Sequence, residues 1–307
     1  MITVWQGSAN TWDCDEMGHM NVRVYIEKAM EGIGTLAHHI AMPHAYREDT
    51  PSTLIPVDQH IRFMREVRPG RPLRMEACVL ETTETDTTVF QGLFHGDGTP
   101  AAAFRTRLTH AETKSGKPFP WSARSREALA NLIDTPPKTM APRSIDPKAD
   151  VLVGKKATLA APIKARAPQI GMGTVPSEHC DPHGRMKAAW FMGRISDSVP
   201  NLLAEWRESV ANAANGARMG AAVLEYRLVY RKWPRMGDRF VVHSSLANAD
   251  EKTHTLVHWM LDPESGDTWL TSEAVAVTFD LDTRKVIPTP PDRIVELENI
   301  APRGLTI

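Results

Sequence analysis

The sequence contains one internal repeat, and this repeat constrains the fold more than any other feature. Residues 12–21 read WDCDEMGHMN and residues 178–187 read EHCDPHGRMK, so that Cys, Asp, Gly and Met recur in register at an offset of about 166 residues. An interval of that length is the size of one small domain. The chain is therefore predicted to consist of two related halves.

The same order of patterns follows the motif in each half. Apolar residues at helical spacing come first, and Pro200 is expected to bend or end the second helix. Four β-rich runs separated by turn residues complete each half. One long helix with one antiparallel sheet is an α+β arrangement. We predict an N-terminal domain over residues 1–135, a proline-rich linker over residues 136–156 and a C-terminal domain over residues 157–307.

Composition argues against several classes of protein. With 42% hydrophobic and 24% charged residues, the chain is typical of a globular protein. Its net charge of −1 does not indicate binding to nucleic acid or to a membrane surface. We find no signal-peptide pattern and no apolar run long enough for a transmembrane helix. The three cysteines are widely spaced, which fits a reduced, cytoplasmic setting. We therefore expect no metal, no cofactor, no nucleic-acid partner and no membrane association.

The run D-x-D-x-x-G-H-M-N, formed by residues 13–21, resembles the motif of hotdog thioesterases of the 4-hydroxybenzoyl-CoA and acyl-ACP types. The resemblance implies two tandem hotdog folds, each a long helix wrapped by an antiparallel sheet, that form an intrachain pseudo-dimer with one site per half. It implies a thioesterase acting on an acyl-CoA or acyl carrier protein, with coenzyme A only as part of the substrate. Met17 replaces an asparagine of the acyl-ACP type, which favours acyl-CoA. The whole chain is a candidate homodimer.

Thioester hydrolysis needs an attacking oxygen and a donor for the developing oxyanion, and the first motif offers both. Asp15 lies just before the helix, where the helix dipole favours an ionised carboxylate, so it is a candidate general base or nucleophile. The N–H of Val22 is the candidate oxyanion donor. The family resemblance implies the same two roles. A structural turn or N-cap role is the alternative for Asp15, and its recurrence as Asp181 favours function.

Other polar residues of the first motif are further candidates. His19 is expected to orient the carboxylate or to donate to the thioester, with a structural role equally open. Asn21 is a candidate N-cap of the helix or a residue that positions water. Cys14 and Cys180 adjoin the aspartates, but no base is evidently paired with either, so we interpret both as small buried residues.

The second motif departs from the first at two polar positions. Arg185 and Lys187 replace His19 and Asn21, while Asp181 is retained. Three interpretations stand open. The second site is a degenerate catalytic site, or its two cations bind the phosphates of coenzyme A, or they form a solvated basic edge.

Candidate substrate contacts also lie outside the loops. They are Tyr25, His60, Arg62 and Phe63. The two aromatic residues are interpreted as core first and acyl-pocket lining second. The two basic residues are candidates for nucleotide phosphates, although exposed strand charges are the favoured interpretation. Asp58 and Glu225 occupy matching places in the two halves and are candidates for orienting a catalytic group.

Two rival functions remain besides thioester hydrolysis. A hotdog hydratase or dehydratase would need a G-D-x-N-P-x-H run, which the sequence lacks. A non-catalytic acyl-CoA-binding protein is favoured by the altered second motif and disfavoured by the retention of Asp15. No G-x-S-x-G elbow, H-E-x-x-H motif or phosphate-binding glycine loop points to another chemistry.

Overall fold

The computed structural model describes residues 1–153, 156–213, 219–300 and 305–307. These residues fall into two compact units. The first consists of Met1–Arg143 together with Glu178–Met192, and the second of Ser144–Ser177 together with Gly193–Ile307. The second motif therefore packs with the first half of the sequence rather than with the half that follows it. The domain bounds drawn from the sequence stay a prediction.

The first half has the predicted order of a short strand, the motif, one long helix and four further strands. Its five strands are antiparallel neighbours in the order β1-β3-β4-β5-β2. The elements are β1 (Ile2–Ser8), α1 (Val22–His39), β2 (Ser52–Phe63), β3 (Pro72–Thr82), β4 (Asp86–His95), β5 (Pro100–Glu112) and a short helix α2 (Ala123–Asn131).

The second half repeats this topology, with the strand order β6-β8-β9-β10-β7. The elements are α3 (Ala160–Lys164), β6 (Gln169–Thr174), α4 (Ala188–Ala213), β7 (Met219–Tyr230), β8 (Arg239–Ala249), β9 (His254–Leu261), β10 (Thr268–Asp280) and α5 (Pro291–Ile300). The predicted α+β fold of two tandem hotdog repeats is confirmed. Pro200 lies inside α4 and does not end it. Its ring nitrogen carries no hydrogen, so one hydrogen bond of the helix is missing there. None of the helices described is long and apolar enough to cross a membrane.

Helix α1 forms because its apolar residues recur on one face, and that face packs on the sheet. Its buried residues are Val24, Tyr25, Ile26, Ala29, Gly32, Ile33, Leu36 and Ala37. The side-chain amide of Gln91 on β4 donates to the backbone oxygen of Ala29 at 2.9 Å. A Cβ atom at Gly32 would lie 2.7 Å from that amide nitrogen, so glycine permits the close approach of helix and sheet.

Residues 136–153, here called the connecting segment, are bound along the strands of each unit. In the first unit, Met140 joins a buried apolar cluster with Cys78, Phe90, Phe94 and Ala103. Arg62 on β2 donates from Nη1 to the carbonyl oxygens of Thr139, at 3.0 Å, and Ala141, at 2.6 Å. This guanidinium therefore fixes the path of the first part of the segment.

In the second unit, two charged residues of β7 bind the rest of the connecting segment. Oε2 of Glu225 accepts the N–H groups of Ser144, at 2.9 Å, and Ile145, at 2.8 Å. Nη1 of Arg227 donates to the carbonyl oxygens of Asp146, at 3.2 Å, and Ala149, at 2.8 Å. Only 1% of Glu225 and 4% of Arg227 is exposed. Buried charges need such partners, so the carboxylate considered for orienting a catalytic group is committed to the connecting segment.

Candidate active site

The first motif forms a closed loop around the side chain of Asp15. The backbone N–H of Asp15 donates to the oxygen of His19, and the N–H of Gly18 donates back to the oxygen of Asp15, both at 3.0 Å. Gly18 has a φ of +76°, a left-handed conformation that glycine adopts without steric cost. Cys14 and Met20 pair as an isolated antiparallel bridge at the base of the loop. The sequence therefore places the carboxylate of Asp15 inside a tight hairpin just before α1.

The carboxylate of Asp15 is bound from three directions. Oδ1 accepts the N–H of Met17 at 2.9 Å and that of His19 at 3.5 Å. Oδ2 lies 3.2 Å from Nδ1 of His19, and both side chains are mostly buried. His19 therefore orients the carboxylate, which is one of the two roles predicted for it.

These contacts change the pKa values of two side chains in the loop, Asp15 and Cys14. Burial raises the pKa of Asp15, but the hydrogen bond and charge of His19, with the amides of Met17 and His19, outweigh burial. The pKa therefore lies below its ordinary value of 3.8, and Asp15 is a carboxylate at neutral pH. Burial and the charges of Asp15 and Asp13 raise the pKa of the Cys14 thiol. A thiolate nucleophile is thus disfavoured at this position.

Replacing His19 by Leu is expected to raise the pKa of Asp15. The substitution removes the side-chain hydrogen bond and the charge that lower this pKa, while burial, which raises it, remains. The wild-type carboxylate is lost only as the pH falls through its lowered pKa, so the acidic limb of kcat/KM should move to higher pH in the variant. Carbon-13 NMR titration of the aspartate carboxyl groups gives the same pKa without an assay. His183→Leu in the second motif is the control, and an unmoved limb and unmoved titration in His19→Leu would contradict the expectation.

The N-terminus of α1 follows the loop directly. Asn21 is its N-cap, and its Oδ1 accepts the N–H of Arg23 at 2.9 Å. The backbone oxygen of Asn21 accepts the N–H of Val24, also at 2.9 Å. Within the described part of the chain, no acceptor takes the N–H of Val22. The first turn of α1 thus presents one donor of the kind that stabilises an oxyanion.

The second motif folds into the same loop around Asp181. Its Oδ1 accepts the N–H groups of His183, at 2.8 Å, and Arg185, at 2.9 Å. Gly184 has a φ of +74°, and the N–H of Asp181 donates to the oxygen of Arg185 at 2.7 Å. Oδ2 lies 3.2 Å from Nε of Arg185, the residue that replaces the histidine. The repeat therefore conserves the geometry and exchanges a titratable partner for a permanent cation.

The remaining polar position of the second motif also differs in its contacts. Nζ of the exposed Lys187 donates to the backbone oxygen of Glu178 at 3.2 Å. A lysine carries no acceptor, so it cannot cap α4 in the way that Asn21 caps α1. Burial raises the pKa of the Tyr46 hydroxyl group well above its ordinary value. The positive charge of Arg185 has the opposite, smaller effect on this pKa.

The candidate substrate contacts outside the loops are one aromatic pair, Tyr25 and Phe63, and two basic residues, His60 and Arg62. Tyr25 and Phe63 pack edge to face, with ring centroids 5.0 Å apart, so α1 and the end of β2 bring them together. Burial raises the pKa of Tyr25 well above its ordinary value. The favoured interpretation of His60 as an exposed strand charge is wrong, since only 2% of it is exposed. Its strand position faces the interior rather than solvent. Arg62 is used by the connecting segment, as described above.

A stack of three side chains, here called the Arg23 stack, joins the first turn of α1 to the second motif. The guanidinium carbon of Arg23 lies 4.4 Å from the ring centroid of Trp190 on α4. The Trp190 ring lies parallel to His179, with centroids 3.3 Å apart and an interplanar angle of 11°. The sequence offered no signal for this contact, because spacing along the chain does not reveal which aromatic residue a distant cation meets.

The described ranges contain a hollow away from the first motif but no metal-binding cluster. No group of three or more His, Cys, Asp or Glu side chains there has a geometry suited to a metal ion. The hollow, of about 280 Å³, is lined by residues that include His38, His39, Arg124 and Glu127. It lies at the C-terminal end of α1, and an 18-residue helix is about 27 Å long, so the hollow is remote from Asp15.

Solved structures with the same fold include three thioesterases that match most of the chain. The acyl-ACP thioesterase of Bacteroides thetaiotaomicron has 13% identity and a TM-score of 0.62, covering 89% of this chain and 96% of its own. A protein of Lactobacillus plantarum described as an oleoyl thioesterase has 10% identity and a TM-score of 0.66, covering 93% and 96%. The 12:0-ACP thioesterase of Umbellularia californica has 11% identity and a TM-score of 0.65, covering 89% and 92%. At these identities the likeness shows the fold alone.

Sequence comparison identifies the family. No curated protein matches the chain. The sequence profile of the thioesterase-like superfamily matches residues 9–129 and matches again at residues 175–297. The two matches cover most of the chain and begin shortly before each motif. Together with the repeated hotdog topology, they establish that the chain belongs to the thioesterase-like superfamily.

Proposed function

We propose that the protein hydrolyses an acyl thioester of coenzyme A or of acyl carrier protein to a free acid and a thiol. The observation that carries the proposal is the first loop, where a carboxylate of lowered pKa lies just before a helix that offers the N–H of Val22. An attacking group and an oxyanion donor are the two requirements of this reaction. Membership of the thioesterase-like superfamily supports the same chemistry.

In the proposed reaction, Asp15 takes a proton from water as the oxygen of that water attacks the thioester carbonyl carbon. The carbonyl oxygen becomes an oxyanion that accepts the N–H of Val22. Collapse of the tetrahedral intermediate breaks the carbon–sulfur bond, and the thiolate leaves without needing strong acid assistance. In the alternative route the Asp15 carboxylate attacks the carbonyl carbon itself, and water then hydrolyses the mixed anhydride. His19 orients the carboxylate in both routes.

The first loop is the proposed catalytic site, and the second is a proposed binding element. Oδ2 of Asp181 lies 3.2 Å from Nε of Arg185, so this carboxylate is paired with a guanidinium where Asp15 is paired with a histidine. A histidine can exchange a proton with a neighbouring group, and an arginine does not. Arg185 and Lys187 instead supply positive charge suited to the phosphates of coenzyme A. Tyr25 and Phe63 are proposed to line the acyl group, and a cytoplasmic location fits a substrate of this kind.

A second candidate function is acyl-CoA binding without hydrolysis. The replacement of His19 and Asn21 by Arg185 and Lys187 in the second loop favours it, because only the aspartate of the three polar candidate positions is then shared by the two loops. The complete set in the first loop distinguishes the two functions. A protein that only binds would gain nothing from a carboxylate held ionised beside a free helix amide.

Free-thiol release from a panel of acyl-CoAs and acyl carrier protein thioesters tests the proposal. The panel should vary chain length and include aromatic acyl groups. We expect turnover of at least one thioester, with acyl-CoA preferred to the carrier-protein substrate because of the cations of the second loop. Binding of these compounds without any thiol release would overturn hydrolysis and establish the binding function. Homodimer formation is a separate proposal, tested by light scattering.

A further inference from the structure

The Arg23 stack does not follow the internal repeat. At the offset of about 166 residues, Trp190 and His179 correspond to Val24 and Asp13 of the first half. Neither of those residues can form an equivalent stack. The contact between Trp190 and Arg23 therefore arose in one half only, and it connects the altered second motif to the helix that follows the first motif. Its location calls for a physical explanation.

Arg23 is fixed at both its backbone and its side chain. Its N–H is bound by the Asn21 cap, and its guanidinium lies between the Glu27 carboxylate, at 2.8 Å, and the face of Trp190. A cation in the first turn of a helix is opposed by the helix dipole. The ion pair with Glu27, one turn later, and the contact with the ring of Trp190 offset this effect and hold the guanidinium of Arg23 in place.

This turn is the one that contains the proposed oxyanion donor. The N–H of Val22 belongs to the peptide group that precedes the Val22–Arg23 peptide, and the two groups share the Cα atom of Val22, so a shift of Arg23 is transmitted to the donor through one residue. Helix ends fray unless side chains hold them. Misplacement of a catalytic group by about 1 Å costs up to about a hundredfold in rate. A side chain that holds Arg23 in place therefore controls the donor without touching the substrate.

We propose that Trp190 is a positioning residue for the first site, acting through Arg23 on the Val22 N–H. The second motif thus supports the catalytic turn of the first, with His179 stacked parallel to the same indole. This inference rests on the proposed thioesterase function. It explains why an altered second motif packs in the same compact unit as the first loop.

Steady-state kinetics of Trp190→Leu, Arg23→Gln and the double variant test the positioning role. Each single variant should lower kcat by about tenfold while KM stays within about twofold, since the contact acts on the transition state rather than on substrate binding. The double variant should be no slower than the slower single variant, because both substitutions remove the same contact. Trp190→Phe, which keeps an aromatic face, should recover most of the rate. Fully additive losses, or an unchanged kcat, would overturn the proposal.

Hydrogen exchange supplies a readout that does not depend on turnover. Peptides covering residues 20–26 should exchange faster in Trp190→Leu and Arg23→Gln than in the wild type. Lys28→Gln is the matched control, since Nζ of Lys28 lies 5.5 Å from the ring centroid of Trp5 and pairs with Glu31 on the same helix. This control should leave kcat and exchange in 20–26 unchanged. If the wild type has no activity, the proposed function fails, and exchange in 20–26 still decides whether the stack fixes the turn.

Discussion

Asp15→Asn is expected to lower kcat for thiol release by about 10³-fold or more. Asparagine has the same shape and keeps an oxygen that can accept the N–H of Met17, so the loop should persist. Its amide can neither accept a proton from water nor attack the thioester carbonyl carbon. General-base catalysis by a positioned side chain is commonly worth about 10² to 10⁴ in rate, and loss of a nucleophile costs at least as much.

Asp181→Asn is the matched control, because it makes the same change in the same loop geometry. We expect its kcat to stay within about threefold of wild type, since Arg185 already holds this carboxylate in an ion pair. Equal losses in the two variants would contradict the assignment of catalysis to the first site. A fully active Asp15→Asn protein, with its fold verified by circular dichroism, would remove Asp15 from the mechanism.

Glu225→Ala is expected to lower the free energy of unfolding by about 3 kcal/mol or more. The substitution removes the acceptor of two backbone N–H groups, those of Ser144 and Ile145. Arg227, two residues along the same strand, keeps its two carbonyl partners and lies opposite Glu273 on β10, so its charge stays compensated. A hydrogen bond to a charged group contributes about 1.5 to 3 kcal/mol, and the variant loses two such bonds, one of them from the buried Ile145.

Thermal and urea unfolding of three variants tests this expectation. Glu225→Gln keeps an amide oxygen as acceptor and should lose clearly less stability than Glu225→Ala. Glu264→Ala removes an exposed carboxylate that pairs with Arg239 at 3.2 Å, and it should change stability by less than about 0.5 kcal/mol. A loss in Glu225→Ala no greater than that in Glu264→Ala would show that the connecting segment contributes little to stability.

The fold could be predicted because its information is local and repeated. Apolar spacing places α1 and α4, turn residues separate the strands, and the duplicated Cys, Asp, Gly and Met fix the register between halves. The tight turn of the first loop could also be predicted, since a glycine three residues after an aspartate is typical of such a turn. Local rules allow either a bend or an end of the helix at Pro200, and only the structure shows that the helix does not end there.

Contacts between residues far apart in sequence could not be predicted. A basic residue on a strand favours an exposed charge in the case of His60, and only the packed structure shows this side chain buried. Arg62 binds carbonyl groups 77 and 79 residues away, and Arg23 meets an indole in the other half of the sequence. A single sequence carries no signal for such pairs, since side-chain type restricts chemistry and leaves the partner open.

The assignment of Glu178–Met192 to the first compact unit has an evolutionary consequence. A duplicated gene can be split again only while each copy encodes a self-sufficient product. Here a fragment ending between the halves would lack the peptide that carries Trp190, and a fragment beginning there would contain that peptide without Arg23. Once such a contact forms, recombination that separates the copies is selected against. The two motifs can then differ, as Arg185 and Lys187 do from His19 and Asn21, while the chain as a whole stays indivisible.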